Sequence, residues 1–212
     1  MKQQRAYQYR CYPTDEQVTI LARTFGCARY VYNVALRLRT DAYYKDKKRI
    51  GYHETSAELT KLKHQPETAW LAEVASVPLQ QALRHLDKAY RNFFEGRTKY
   101  PTFKKKHGNQ AVSYVGTAFK LTGTTLTLAK MDAPLDIHWS RPLPEGCKPT
   151  TITVTKDTAN RYFVSILIEE DIKPLPVVNQ QIGLDLGLKS MVITSGVPGH
   201  GLLHRRADDP QP

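Results

Sequence analysis

Residues 5–12, Arg5-Ala6-Tyr7-Gln8-Tyr9-Arg10-Cys11-Tyr12, alternate tyrosine with polar or basic side chains as a half-buried strand does, and Pro13 stops the run. No other strand pattern follows until Ala111. There the period changes to two: Val112–Gly116, Ala118–Thr122, Leu126–Ala129, Leu135–Trp139, Thr151–Thr155 and Arg161–Glu169 read as an antiparallel meander. A solitary strand must find a partner, so the early strand is expected to join this distant sheet. The intervening residues then form a helical insertion, which makes the fold class α+β.

Within the insertion, Thr14-x-x-Gln17 is a capping box with Asp15 and Glu16 in the first turn, followed by Val18, Leu21, Ala22 and Phe25 at helical spacing. Gly26 is read as an interruption, with a second helical stretch from about Cys27 to Thr40. Two helices split by glycine have the order of a helix-turn-helix, whose second helix enters a major groove. A plain helical hairpin is the favoured alternative, because the second stretch offers more tyrosine than base-reading Asn or Gln. Ser76-Val77-Pro78 opens a further helix with serine as cap and Leu79, Leu83, Leu86, Tyr90 and Phe94 on one stripe, ended by Gly96.

Charge identifies a partner class. The chain carries 31 Lys and Arg against 20 Asp and Glu, a formal net charge of +11, which favours polyanions. Residues 1–50 alone hold eleven Lys or Arg against four Asp or Glu, including Arg5, Arg10, Arg29 and the cluster Lys45, Lys47, Lys48 and Arg49. Between Arg97 and Lys106 five of ten residues are basic, and cations alternate with aromatics in Arg97-Thr98-Lys99-Tyr100-Pro101-Thr102-Phe103-Lys104-Lys105-Lys106. Such a loop holds phosphates on its lysines while Phe103 or Tyr100 stacks on a base; the competing reading is a solvated basic loop.

Gln181-Ile182-Gly183-Leu184-Asp185-Leu186-Gly187-Leu188-Lys189-Ser190-Met191-Val192-Ile193-Thr194 sets one carboxylate between glycines and two apolar runs. The glycines permit a tight turn and the approach of a large anion. Asp185 is therefore a candidate metal ligand, although Asp and Gly are also ordinary turn residues. Phosphodiester chemistry on Mg²⁺ needs several carboxylates from separate segments. Three cysteines, at positions 11, 27 and 147, fit neither a disulfide framework nor a zinc site. No stretch is long and apolar enough for a membrane span, and no signal-peptide core is present. The expectation is a cytoplasmic chain without a small-molecule substrate.

The order of motifs is informative. Tyr12-Pro13 is followed by Thr24-Phe25-Gly26-Cys27-Ala28-Arg29-Tyr30-Val31-Tyr32-Asn33, then by Leu59-Thr60-Lys61-Leu62-Lys63, Trp70-Leu71 and Val77-Pro78-Leu79-Gln80-Gln81-Ala82-Leu83. Leu86-Asp87-Lys88-Ala89-Tyr90-Arg91-Asn92-Phe93-Phe94, Pro101-Thr102-Phe103-Lys104-Lys105-Lys106 and Ile182-Gly183-Leu184-Asp185-Leu186-Gly187 complete it. Over about residues 5–196 this resembles the TnpB, or OrfB, family of insertion-sequence proteins, related to the type V CRISPR nucleases.

The resemblance implies a split, oligonucleotide-binding-like β-barrel over residues 1–13 and 97–171, interrupted by a helical recognition lobe over 14–96. It implies a linker over 172–180 and the first strand pair of a RuvC-like, RNase H-type nuclease over 181–196. Family members grip a guide RNA from the transposon end, read a short motif beside the target DNA, and cut that DNA with a carboxylate triad and Mg²⁺. Asp185 matches the first of those carboxylates. Past Gly196 the family pattern is lost, with no zinc ribbon and only Asp208 and Asp209 as further carboxylates. Residues 197–212 are expected to be a non-family tail, and the chain a truncated member without cleavage activity of its own. A guide-dependent or helix-turn-helix DNA-binding regulator is the alternative.

Overall fold

The computed structural model describes residues 2–144, 146–171, 183–185 and 193–195. The expected linker over 172–180 and tail over 197–212 lie outside the described residues. The chain divides into two units, Met1–Ile172 and Lys173–Pro212, each described by itself.

In the first unit, strand β1 (Lys2–Cys11) leads into helices α1 (Asp15–Asp46) and α2 (Tyr52–His64), a 3-10 turn at Pro66–Ala72 and helix α3 (Ser76–Phe94). Strands β2 (Gln110–Val115), β3 (Phe119–Thr122), β4 (Thr125–Leu128), β5 (Ile137–His138), β6 (Pro149–Lys156) and β7 (Tyr162–Asp171) follow. β1 pairs antiparallel with β7 along its whole length, from Lys2 opposite Asp171 to Cys11 opposite Tyr162. The first strand thus crosses the helices to reach the last strand of its unit.

The sheet order is β2-β6-β7-β1-β5, with β3-β4 as a separate hairpin. This corrects the meander, since only β3-β4 and β6-β7 pair with their neighbours in the chain. Among the described residues the strands do not close into a barrel. A single bridge from Leu126 to Leu135 links the hairpin to the chain before β5, but among the described residues nothing pairs β3 with β2. Gly116, at φ +58, turns the chain out of β2 into a short 3-10 turn, and α3 and α1 pack against β2 instead.

Alternation sorts the sheet's two faces. Tyr7, Tyr9, Cys11, Val112, Tyr114, Ile152, Val154, Val164, Ile166 and Ile168 are buried and packed in one core with Leu126, Leu128, Met131 and Leu135. That core continues into the helices through Leu21, Phe25, Ala28, Leu36, Leu79, Leu83 and Leu86. Gln17 fixes the start of α1 against the strand region. Its backbone N–H donates to Thr14 Oγ1 at 3.4 Å, its side-chain oxygen accepts from Thr14 N at 3.1 Å, and its Nε2 donates to the carbonyls of Ala133 and Pro134, each at 3.0 Å. The capping box is therefore also a tertiary anchor.

Two helix expectations are corrected. α1 is one helix of 32 residues with Gly26 inside it; a single glycine lowers helix propensity by about 1 kcal/mol, which the buried stripe from Leu21 to Leu36 outweighs. Ser76 does not cap α3. Ala75 is the N-cap, and Ser76 Oγ accepts a hydrogen bond from Lys63 Nζ at 2.7 Å.

In the second unit, strands β8 (Gly183–Asp185) and β9 (Ile193–Ser195) pair antiparallel, with Asp185 opposite Ile193.

Candidate nucleic-acid interface

Because α1 continues through Gly26, residues 23, 26, 30, 33 and 37 follow one another at steps of three and four. Arg23, Gly26, Tyr30, Asn33 and Arg37 therefore share one face of the helix. Trp70, from the 3-10 turn, meets this face, with its ring 5.1 Å from that of Tyr30 in an edge arrangement. Phe103, from the loop after α3, closes the other side. Together with Arg29 they bound an open groove of about 700 Å³.

The loop is tied to α1 at two points. Asn33 Nδ2 donates to the Lys104 carbonyl at 3.0 Å, and Lys104 N donates to Asn33 Oδ1 at 2.8 Å, so one side-chain amide binds both the N–H and the C=O of one residue. The Tyr100 hydroxyl lies 2.9 Å from Thr40 Oγ1 and 2.9 Å from the Tyr90 hydroxyl, with its ring edge-on to Tyr90 and Phe93. Tyr100 is thus engaged by protein on its hydroxyl and on its ring. Phe103 is 56 % exposed, which makes it the free aromatic of the loop.

A second cavity, of about 210 Å³, sits between α1, α3 and the start of β2, with Arg29, His85, Lys104 and Lys105 in its wall. Lys104 is exposed as a residue, yet its Nζ lies 4.4 Å from the centre of the Tyr32 ring. Desolvation draws its pKa below the ordinary lysine value. Desolvation, then the charges of Lys104 and Lys88, holds His85 below the ordinary histidine value. An anion entering here would relieve that cation crowding.

Of the sequence candidates, the fold gathers Arg29, Phe103, Lys104 and Lys105 around these two cavities. Lys106 follows them in the chain and is exposed. Lys45, Lys47, Lys48 and Arg49 are exposed at and just past the far end of α1; Lys47 stands eighteen positions after Arg29, about 27 Å at 1.5 Å per residue. Arg97 is ion-paired with Glu95, and Lys99 is exposed. On the sheet, Arg5 pairs with Glu170 at 3.4 Å, and the Arg10 guanidinium lies 5.1 Å from the Phe163 ring centre. Asp185 belongs to the second unit.

Sequence reading did not single out Arg23, Tyr30, Asn33, Arg37 or Trp70 as functional. Their spacing was available, but a break at Gly26 divides the stripe and hides it. Asn33, as a loop anchor, left no local signal.

The HTH_OrfB_IS605 family model, described as a helix-turn-helix domain, matches residues 1–48. In this structure those residues are β1 and the single helix α1 with its flanking turns. The chain is 53 % identical over 192 residues to a Streptomyces pristinaespiralis protein provisionally named an RNA-guided DNA endonuclease, covering 90 % of this chain and 48 % of that protein. It is 29 % identical over 197 residues to InsQ of Escherichia coli (strain K12), provisionally named likewise, covering 92 % of this chain and 48 % of InsQ. Virulence protein VsdF of Salmonella dublin is 34 % identical over 113 residues, 49 % of this chain and 95 % of VsdF. The chain spans about half the length of the two endonuclease-named relatives.

Proposed function

Because the chain belongs to the TnpB/OrfB family of transposon-encoded proteins, we propose that residues 1–171 are the nucleic-acid-gripping part of an RNA-guided DNA endonuclease. The observation that carries this is the docking of the Phe103-Lys104-Lys105 segment on the arginine-bearing face of α1. Lysines hold phosphates without regard to sequence, and the exposed Phe103 ring supplies a stacking surface beside them. The open sheet with its hairpin stands for the split barrel of the family, and α1 to α3 for its recognition lobe. A guide RNA from the transposon end and the target DNA are the proposed partners.

Asp185 is proposed as the first carboxylate of the RuvC-like site, with β8 and β9 as that domain's opening strands. Mg²⁺ takes about six oxygen ligands. Among the described residues, no group of three or more His, Cys, Asp or Glu is placed to hold one ion. The described residues therefore do not fit a complete site, and no cleavage step is assigned to them. Asp185→Ala is expected to leave RNA affinity unchanged, because the gripping surface lies in residues 1–171.

Reading the chain as a helix-turn-helix regulator gains nothing from the geometry, since α1 has no turn at Gly26. The test is purification from the host followed by sequencing of the bound nucleic acid. A defined RNA from the transposon end is expected. Random fragments in proportion to cellular abundance would overturn the guide-RNA reading and leave only general basicity.

A further inference from the structure

We propose that the groove on α1 is a slot for an unpaired nucleobase and that Gly26 is there to keep it open. The inference rests on the nucleic-acid reading above and specifies which part of the ligand enters. Glycine is a poor helix former, worse than every residue but proline. Here neither backbone nor packing requires it. Gly26 lies inside α1 and lacks the left-handed φ found at Gly96, Gly116, Gly123 and Gly146. Apart from the adjoining backbone of α1 itself and the neighbouring residues, a Cβ at position 26 would meet no heavy atom within 4 Å. Alanine would suit the helix better, so the space above Gly26 is what the glycine supplies.

That space is the floor of the groove, with Tyr30, Trp70 and Phe103 around it. Trp70 and Phe103 are 38 % and 56 % exposed, so large aromatic surfaces face the opening. Arg23, Arg29 and Arg37 stand at the same groove; Arg23 pairs with Glu73 at 3.6 Å and Arg37 with Asp41 at 3.8 Å, while among the described residues Arg29 makes no ion pair. The surplus of guanidinium favours an anionic occupant over an apolar peptide. Aromatic walls with cations beside them fit a nucleotide whose base stacks in the slot and whose flanking phosphates lie on the arginines. A duplex keeps its base faces stacked, so the ligand is a single strand, loop or bulge.

The test compares wild type, Gly26→Ala and Gly26→Leu by fluorescence anisotropy with a short labelled single-stranded RNA and with an abasic oligomer of the same length. Gly26→Leu is expected to weaken RNA binding about tenfold, the scale of one lost base stack, while the abasic oligomer binds wild type and variant alike. Gly26→Ala is expected to raise Tm by about 2–4 °C and to lose less affinity than leucine. Should Gly26→Leu fail to fold, alanine still decides: a higher Tm with lower RNA affinity supports the slot, and unchanged affinity overturns it. Equal losses on RNA and on the abasic oligomer would also overturn it, because the groove would then hold only backbone. Wild type that binds neither oligomer would overturn the reading beneath it as well.

Discussion

At the scale of single residues, a few side chains hold this surface in shape. Asn33 ties the Lys104 backbone to α1 with two hydrogen bonds. Asn33→Ala is expected to cost about 1–2 kcal/mol in urea denaturation, near the sum of two partly exposed hydrogen bonds, and to weaken RNA binding by releasing Phe103. An unchanged midpoint would show that the loop holds itself. Arg39 is the counterpart inside the helices. Its guanidinium lies 3.1 Å from Asp87 and 4.0 Å from the Tyr90 ring centre. The thiols and phenols make a further prediction. Burial pushes Cys11 from 9.0 up to about 12, Cys27 from 9.0 up to about 11, and Tyr114 from 10.0 up to about 12. Each keeps its proton in the folded chain after the unfolded chain has lost its own. The stability they confer is whole below about pH 9 and is lost as pH rises towards 11 and 12. Denaturant midpoints measured from pH 7 to 11 should fall above pH 9, and a flat profile would contradict the burial of these groups.

At the scale of elements, the strands were legible and their partners only in part. Tyr7 and Tyr9 alternating with polar residues announce β1, and the need for a distant partner follows from the absence of any nearby strand. The skip from β2 to β6 left no such mark, because pairing order depends on the turn at Gly116 and on α3 and α1 packing against β2. α1 shows the opposite error. Gly26 carries a local breaking signal, and burial of Leu21, Phe25, Ala28, Leu36 and neighbours overrides it. The missed stripe of Arg23, Tyr30, Asn33 and Arg37 follows from that one misreading. Since core packing holds α1 together, Leu21→Ala, at a fully buried position, is expected to cost about 2–5 kcal/mol by thermal or urea unfolding. A loss below about 1 kcal/mol would mean that the helix does not depend on this core.

At the scale of the whole molecule, the net charge of +11 favours a polyanionic partner but says nothing of where one would bind. The fold brings the 97–106 loop, distant in sequence, onto α1, and that is the place proposed. Family membership and this docking each support the proposed nucleic-acid partner. Asp185 lies in the second unit, so the proposed gripping surface and the proposed RuvC-like carboxylate fall on different residues and are open to separate tests. The most direct test of the gripping surface is the salt dependence of RNA binding by the intact chain and by the triple variant Lys104→Ala, Lys105→Ala, Lys106→Ala. On single strands each phosphate contact contributes about 0.7 to the slope of log affinity against log salt concentration. The slope is predicted to shrink by about 1.5–2 in the variant, with weaker binding at every salt concentration; the same slope and affinity in both proteins would contradict the account.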